Sequence, residues 1–104
     1  MGNKLKSKSK KKVLVPRNRR IDSFTQADFS NMKMPCIAVY MHPADFPDKI
    51  IARVWESSIN APTNMYAEFE TVEDAERDIE AAGFSTRIPR FPGDDITIVE
   101  TYYR

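Results

Sequence analysis

One segment decides the fold: residues 71–83 read TVEDAERDIEAAG. Its apolar residues recur at helical spacing and form one stripe, whereas its charged residues lie elsewhere on the helix surface. Thr71 is placed to cap the first turn, with Asp74 three residues later in the position of a capping box. Gly83 is a residue type that commonly ends a helix. The segment therefore predicts an amphipathic helix that packs on a sheet through Val72, Ala75, Ile79 and Ala82.

Three strands are predicted before this helix. Residues 36–41 are continuously apolar, which is typical of a strand buried on both faces. Every second residue from Ile50 to Val54 and from Met65 to Phe69 is apolar, so residues 50–56 and 65–70 have the alternation expected for half-buried strands. The connections over residues 42–48 and 57–63 contain proline together with aspartate or asparagine, which is typical of loops.

Two further strands are predicted after the helix, a weak one over residues 84–88 and a β-branched and aromatic one over residues 96–103. Residues 89–95 form the loop between them. The order β-β-β-α-β-β predicts an α+β fold, in which one helix covers one face of a small, mainly antiparallel sheet. On that face the helix is expected to contact Ala52, Val54, Met65, Ala67, Phe69, Ile96 and Ile98.

Charge is unevenly distributed along the 104 residues. Residues 1–20 hold nine cations and no acid, whereas the rest of the chain holds seven cations and fifteen acids, a net charge of −8. Because like charges repel and the first segment can bury almost nothing, we predict a disordered basic tail over residues 1–20. Residues 21–34 are either a linker or a short helical turn anchored by Phe24 and Phe29, and residues 35–104 form the small α+β domain.

A basic segment of this kind predicts a polyanionic partner, since lysine and arginine neutralise phosphates and release counterions. The first interpretation is a non-enzymatic protein that binds DNA or RNA electrostatically through this tail, while the domain supplies positioning and a local basic patch around Arg53, Arg87 and Arg90. A solubilising tail, and a tail that docks on the acidic helix of its own domain, are the alternatives. The residues assigned to nucleic-acid binding are Lys4, Lys6, Lys8, Lys10, Lys11, Lys12, Arg17, Arg19, Arg20, Arg53, Trp55, Arg87 and Arg90.

The sequence also bears on the compartment. Cys36 is the single cysteine, which excludes an intrachain disulfide and fits a reduced, cytoplasmic environment. No apolar run approaches the roughly 18 residues of a membrane span, and no apolar stretch of a signal peptide follows the N-terminal lysines. Gly2 with a basic run resembles a myristoylation signal, but Lys6 occupies the position that requires serine or threonine.

The sheet face away from the helix is a second candidate site. It is expected to carry aromatic and arginine side chains, which either stack the bases of a single strand or contact a protein. Glu68 and Glu70 would share this face and repel phosphate, which favours the protein. The alternative function is therefore a protein-interaction or inhibitory module, such as a mobile element encodes, that acts through exposed aromatics or the acidic helix. The side chains expected on this face are Tyr40, Arg53, Trp55, Tyr66 and Tyr103.

A metal or acid–base site is the third interpretation. His42, Asp45 and Asp48 share one loop, and Asp94 and Asp95 share another. Their oxygen ligands suit a hard cation such as Mg²⁺, but loop aspartates more often close turns. The chain has neither a glycine-rich phosphate loop nor a zinc pattern. No catalytic residue, metal site or cofactor is therefore assigned.

A series of short motifs lies within residues 37–100, a stretch that covers about two-thirds of the chain: HPADFPDK (42–49), ARVW (52–55), PTN (62–64), RIPR (87–90), DDI (94–96) and IVE (98–100). Together they resemble a family of short bacterial and phage-type proteins of unknown function. The family has no established activity, so the resemblance carries over no catalytic residue. The lysine-rich tail departs from the family pattern.

Overall fold

A six-stranded sheet forms the framework of the computed structural model, which describes residues 19–104. Its strands are β1 (Arg19–Arg20), β2 (Pro35–Met41), β3 (Ile50–Glu56), β4 (Ala61–Phe69), β5 (Thr86–Pro89) and β6 (Ile98–Tyr103). They follow the order β1-β4-β3-β2-β6-β5, and every pair of neighbours is antiparallel except β1 and β4. One helix packs on this mainly antiparallel sheet, so the predicted α+β fold is confirmed.

The helix α1 (Val72–Ala81) begins and ends as its sequence predicts. The hydroxyl of Thr71 accepts a hydrogen bond from a backbone N–H of the first turn at 3.0 Å, and Gly83 has a left-handed conformation with φ of +97°. The helix covers one face of the sheet and buries Ala75 and Ile79 completely. The core that it forms with the sheet includes Ile37, Val39, Ala52, Val54, Ala67 and Tyr102.

The segment between β1 and β2 packs on this core and is not a free linker. Phe24 begins a short 3-10 helix (Phe24–Gln26), and it is buried together with Phe29. The carboxylate of Asp78 on α1 accepts hydrogen bonds from the Ser23 hydroxyl at 2.6 Å and from the Phe24 backbone N–H at 2.8 Å. Of the two alternatives for this segment, the structure has the short helical turn, which these bonds hold against the helix.

The folded part begins earlier than the charge pattern predicts. Residues 1–18, on which the prediction of disorder mainly falls, lie outside the described residues. Arg19 and Arg20 belong to the same predicted tail, yet they form β1 beside Met65 and Tyr66 of β4. For these two residues the prediction is wrong, because a distant strand supplies backbone hydrogen bonds that composition does not reveal.

The last strand differs most from its prediction. Ile96, expected to contact the helix, lies in the preceding loop and is 85% exposed. Ile98 also fails to face the helix, because β6 contains a β-bulge. Val39 pairs with Glu100, but the next residue of β2 pairs with Ile98, which leaves one extra residue in β6. An extra residue reverses the faces of the side chains beyond it, so Glu100 faces the helix and Ile98 faces away.

Two other strands are displaced from their predicted bounds. β4 begins inside the predicted loop over residues 57–63, because Ala61 and Pro62 pair with the end of β3. β5 begins at Thr86 instead of residue 84, since Phe84 is fully buried in the core and does not pair. In both cases the pairing partner, and not the local composition, sets the boundary.

Replacing Ile79 by alanine should lower the free energy of unfolding by about 2–5 kcal/mol, because the fully buried side chain would leave a cavity between helix and sheet. Urea unfolding monitored by circular dichroism measures the loss. Ile59→Ala is the matched control, since Ile59 is exposed in the turn before β4 and its loss should cost less than about 0.5 kcal/mol. Equal costs for the two variants would contradict the packing face assigned to α1.

Candidate functional site

Three aromatic side chains form the floor of a groove on the sheet face that the helix leaves uncovered. Tyr40, Trp55 and Tyr103 come from three neighbouring strands, whose alternation directs them away from α1. Two adjoining hollows of about 410 Å³ and 500 Å³ are lined in common by Tyr40, Trp55, Pro62 and Asp95. We treat them as one site, the aromatic groove, defined by Tyr40, Trp55, Pro62, Ile98 and Tyr103.

A hydrogen bond holds the centre of the aromatic groove, where the indole N–H of Trp55 donates to the phenolic oxygen of Tyr40 at 3.0 Å. Burial raises the pKa of Tyr40, so its hydroxyl stays protonated at neutral pH. Burial likewise raises the pKa of Tyr103 and of the neighbouring Cys36 thiol. The floor is therefore uncharged, and it offers ring faces and hydroxyl groups without a reactive thiolate.

Arg53 stands in the second hollow, but its guanidinium is already engaged. It donates a hydrogen bond to the Thr63 carbonyl at 3.0 Å and lies 5.1 Å from the ring centroid of Tyr66. The ring of Phe46, from the loop after β2, packs against the same tyrosine with 5.5 Å between centroids. Arg53 therefore supports the groove wall, and a phosphate would have to compete with these contacts.

Carboxylates dominate the rim of the groove. Asp94 and Asp95 border it from the loop between β5 and β6, and Asp45 borders it from the loop after β2. The hydroxyl and backbone N–H of Thr97 donate to the Asp95 carboxylate at 2.6 and 2.8 Å, and they hold the pKa of this carboxyl below its ordinary value. Arg90 donates to the backbone carbonyls of Asp94 and Asp95, at 3.0 and 3.3 Å, and forms no ion pair with their carboxylates. With three carboxylates against the one guanidinium of Arg90 among residues 19–104, the rim has a net negative charge at neutral pH.

Two large apolar side chains lie beside these carboxylates on the same loop. Phe91 is 60% exposed, Ile96 is 85% exposed, and both border the groove. A hydrogen bond of 3.0 Å from the Phe91 backbone N–H to the Asp94 carboxylate closes this part of the loop. The sequence assigns neither residue to a site, since their position depends on how the loop folds over the sheet. The available signal is weak: large apolar residues within a loop of proline, glycine and aspartate.

The predicted nucleic-acid-binding residues of the tail divide into two groups. Arg19 and Arg20 are exposed on β1 at one edge of the sheet, and Arg20 lies 3.9 Å from the carboxylate of Glu68. The other seven lie outside the described residues: Lys4, Lys6, Lys8, Lys10, Lys11, Lys12 and Arg17.

The predicted binding residues of the domain do not come together. Arg53 belongs to the wall of the groove and Trp55 to its floor, whereas Arg90 lies in the loop between β5 and β6, which we call the rim loop. Arg87 lies on the opposite face of the sheet, where it forms an ion pair with Glu76 of α1 at 3.3 Å. The expected basic patch of Arg53, Arg87 and Arg90 is therefore wrong, because the register of β5 directs Arg87 toward the helix.

The residues considered as metal ligands do not form a site. No cluster of three or more histidine, cysteine, aspartate or glutamate side chains able to hold a metal ion occurs in the part of the chain from Arg19 onward. Asp94 and Asp95 instead accept hydrogen bonds from backbone N–H groups of their own loop. Within the same described part, no helix is long and apolar enough to cross a bilayer.

A buried carboxylate lies on the opposite face, where β6 meets α1. Glu100 is 8% exposed and accepts a hydrogen bond from the Tyr102 hydroxyl at 2.6 Å. Arg87 lies 4.0 Å from the same carboxylate. Burial raises the pKa of Glu100, and the nearby Glu76 adds to this effect. The cluster joins α1, β5 and β6, and we infer that its role is to stabilise the domain.

No protein-family model, no curated protein and no solved structure matches this chain.

Replacing Glu100 by glutamine should stabilise the protein at pH 7, because the amide keeps an acceptor for Tyr102 without the charge that burial disfavours. The pKa of Glu100 is higher in the folded than in the unfolded protein, so acidification protonates the folded state first and restores stability to the wild type. The advantage of the variant should therefore shrink as the pH falls toward the ordinary glutamate value near ~4.3. Urea titrations of both proteins at several pH values measure it.

Glu80→Gln is the matched control, since it removes a carboxylate from the exposed side of α1. Identical pH profiles for the two variants would show that burial of Glu100 is not the cause.

Proposed function

We propose that this protein is a non-enzymatic, nucleic-acid-associated protein that binds DNA or RNA electrostatically through the cations of its N-terminal segment. The proposal is based on the separation of positive and negative charge along the chain. Residues 1–20 contain nine cations and no acid, whereas residues 21–104 have a net charge of −8. Cations that neutralise phosphates release condensed counterions, which drives binding without reading base sequence. No acid within the segment competes with phosphate for these cations.

The position of β1 supports this proposal. Arg19 and Arg20 are exposed at an edge of the sheet, so the last two cations of the basic segment are accessible. The domain adds little attraction of its own, because Arg53 contacts Tyr66 and Arg87 faces Glu76. The fields of exposed charges decay over roughly 8 Å at physiological salt, so the acidic domain repels phosphate mainly at short range. We therefore assign the affinity to the basic segment and positioning to the domain.

A second function, binding of a protein partner, is favoured by one specific observation. Phe91 and Ile96 are large, exposed apolar side chains at the border of a groove with an aromatic floor. Interface centres are enriched in aromatic residues, whereas surfaces that stack bases combine aromatics with a cationic groove. With Asp94 and Asp95 at its rim, the groove suits an apolar peptide with basic flanks better than it suits a nucleic-acid strand.

Binding to duplex DNA should depend steeply on salt. If about six phosphates are neutralised, the logarithm of the binding constant should fall against the logarithm of salt concentration with a slope of about −5. Replacing the six lysines of the tail by glutamine should remove most of this slope, because few cations remain to release counterions. Fluorescence anisotropy of a labelled duplex, titrated at several salt concentrations, measures the slope. The lysines to be replaced are Lys4, Lys6, Lys8, Lys10, Lys11 and Lys12.

Arginine at the same six positions is the matched control, since it conserves every charge and should retain the slope. An unchanged slope in the glutamine variant would rule out the tail as the source of affinity. If neither the wild type nor the arginine variant binds at low salt, nucleic-acid binding is wrong and a protein partner becomes the better proposal. Trp55→Ala should not weaken duplex binding, and it would weaken single-strand binding by about 1–3 kcal/mol only if bases stack in the groove.

A further inference from the structure

The chemistry of the aromatic groove selects a particular kind of occupant. Its floor consists of uncharged rings, and the carboxylates of Asp45, Asp94 and Asp95 around it outnumber Arg53, the one cation among the described residues that line the two hollows. Grooves lined with aromatic rings bind extended peptides, whose apolar or proline residues lie against the rings. Carboxylates at the rim favour a peptide that carries cations on either side of its apolar part. The groove therefore suits an extended peptide with an apolar, proline-containing centre and basic flanks.

This chain contains such a peptide, since residues 10–17 read KKKVLVPR. Residues 13–16 are the longest apolar run of the basic segment, with three lysines before them and an arginine after them. Composition predicts disorder here because the segment has almost nothing of its own to bury. A prediction from composition does not consider that another surface of the same molecule can bury these apolar residues.

The attachment of β1 brings this peptide within reach of the groove. Arg19 lies beside Met65 in a parallel pair, so the chain approaches it from the direction of the start of β4. At that end, Pro62 pairs with Trp55 and both line the groove. The path from Met65 to Pro62 is about 10 Å along the strand, and β3 lies two strand spacings, about 10 Å, from β1, so Trp55 is about 14 Å from Arg19. An extended chain from Arg19 back to Leu14 spans up to about 17 Å. Leu14 can therefore reach Trp55 without any rearrangement of the domain.

We propose that residues 13–16 bind in the aromatic groove of the same molecule when no nucleic acid is present, with their flanking cations beside Asp94 and Asp95. Docking and nucleic-acid binding use the same cations, so the two contacts compete. The competition rests on the proposed function, whereas the docking does not. If about nine-tenths of the molecules are docked, the apparent affinity for nucleic acid is about tenfold lower than that of the undocked chain.

Trp55 is the single tryptophan of the chain and lies at the centre of the groove, so its fluorescence reports docking directly. Leu14→Asp removes an apolar contact and places a carboxylate among those of the rim. Leu5→Asp makes the same change outside the docking peptide and is the matched control. In the full chain without nucleic acid, L14D should shift the emission to longer wavelength and increase its quenching by acrylamide. L5D should match the wild type.

Nuclear Overhauser contacts between the Leu14 methyl groups and the Trp55 indole are the direct second measurement, and they are expected in the wild type. Their absence would overturn the proposal. Equal emission and quenching in the wild type, L5D and L14D would also overturn it, as expected if the basic segment docks on the acidic helix instead. A difference between L14D and L5D that grows with protein concentration would overturn docking within one molecule and assign the groove to the N-terminal segment of a second copy.

Competition is measured separately, with a labelled DNA duplex and the same two variants. L14D should bind about tenfold more tightly than L5D, because the carboxylate added to each variant is the same and only L14D abolishes docking. If the two bind equally while their fluorescence differs, docking stands and competition is wrong. If neither variant nor the wild type binds the duplex, the proposed function fails, while the fluorescence and the nuclear Overhauser contacts still decide the docking.

Discussion

The burial of α1 on the centre of the sheet, through Ala75 and Ile79, is the interaction on which the rest of the structure depends. A helix of 10 residues is about 15 Å long and covers roughly three strands at a spacing of about 4.8 Å. The six-stranded sheet is wider, and Phe24 and Phe29 of the N-terminal segment complete the core on this side. Within residues 19–104 no second helix covers the other face. Because a single helix can cover only one face of the sheet, the rings of the groove floor on the other face remain partly exposed.

The bulge in β6 links the two faces of the sheet. Before the bulge, Ile98 joins the floor of the aromatic groove, and after it, Glu100 enters the region between sheet and helix. In a regular strand these two residues would share a face, and either the apolar floor or the buried carboxylate would be lost. The same irregularity thus shapes the candidate binding surface and places a titratable group where its ionisation affects stability. A bulge beside a candidate site agrees with the general tendency of bulges to redirect side chains there.

Segregation of charge within one chain has two opposing consequences. The acidic domain repels phosphate at short range, and the same acids attract the basic segment that would bind phosphate. The rim carboxylates offer this attraction next to uncharged rings, where an apolar peptide gains from burial as well. The proposed docking in the groove and the proposed binding of a polyanion are then alternative uses of one set of cations. An occupied groove is closed to other peptides, so release of the segment would open it to a protein partner.

Local signals in the sequence predict α1, β2 and β3 correctly, because a cap at Thr71, a stop at Gly83, a continuous apolar run in β2 and a period of two or 3.6 residues involve only near neighbours. Alternation also places Tyr40 and Trp55 on one face, so the floor of the candidate site is predictable as well. Tertiary structure alone decides that Arg19–Arg20 form an edge strand, which side chains of β6 face the helix, and how the rim loop folds over the sheet. Each of these depends on pairing with residues far along the chain. A shift of one residue in such a pairing exchanges the two faces of a strand, and no local pattern records that shift.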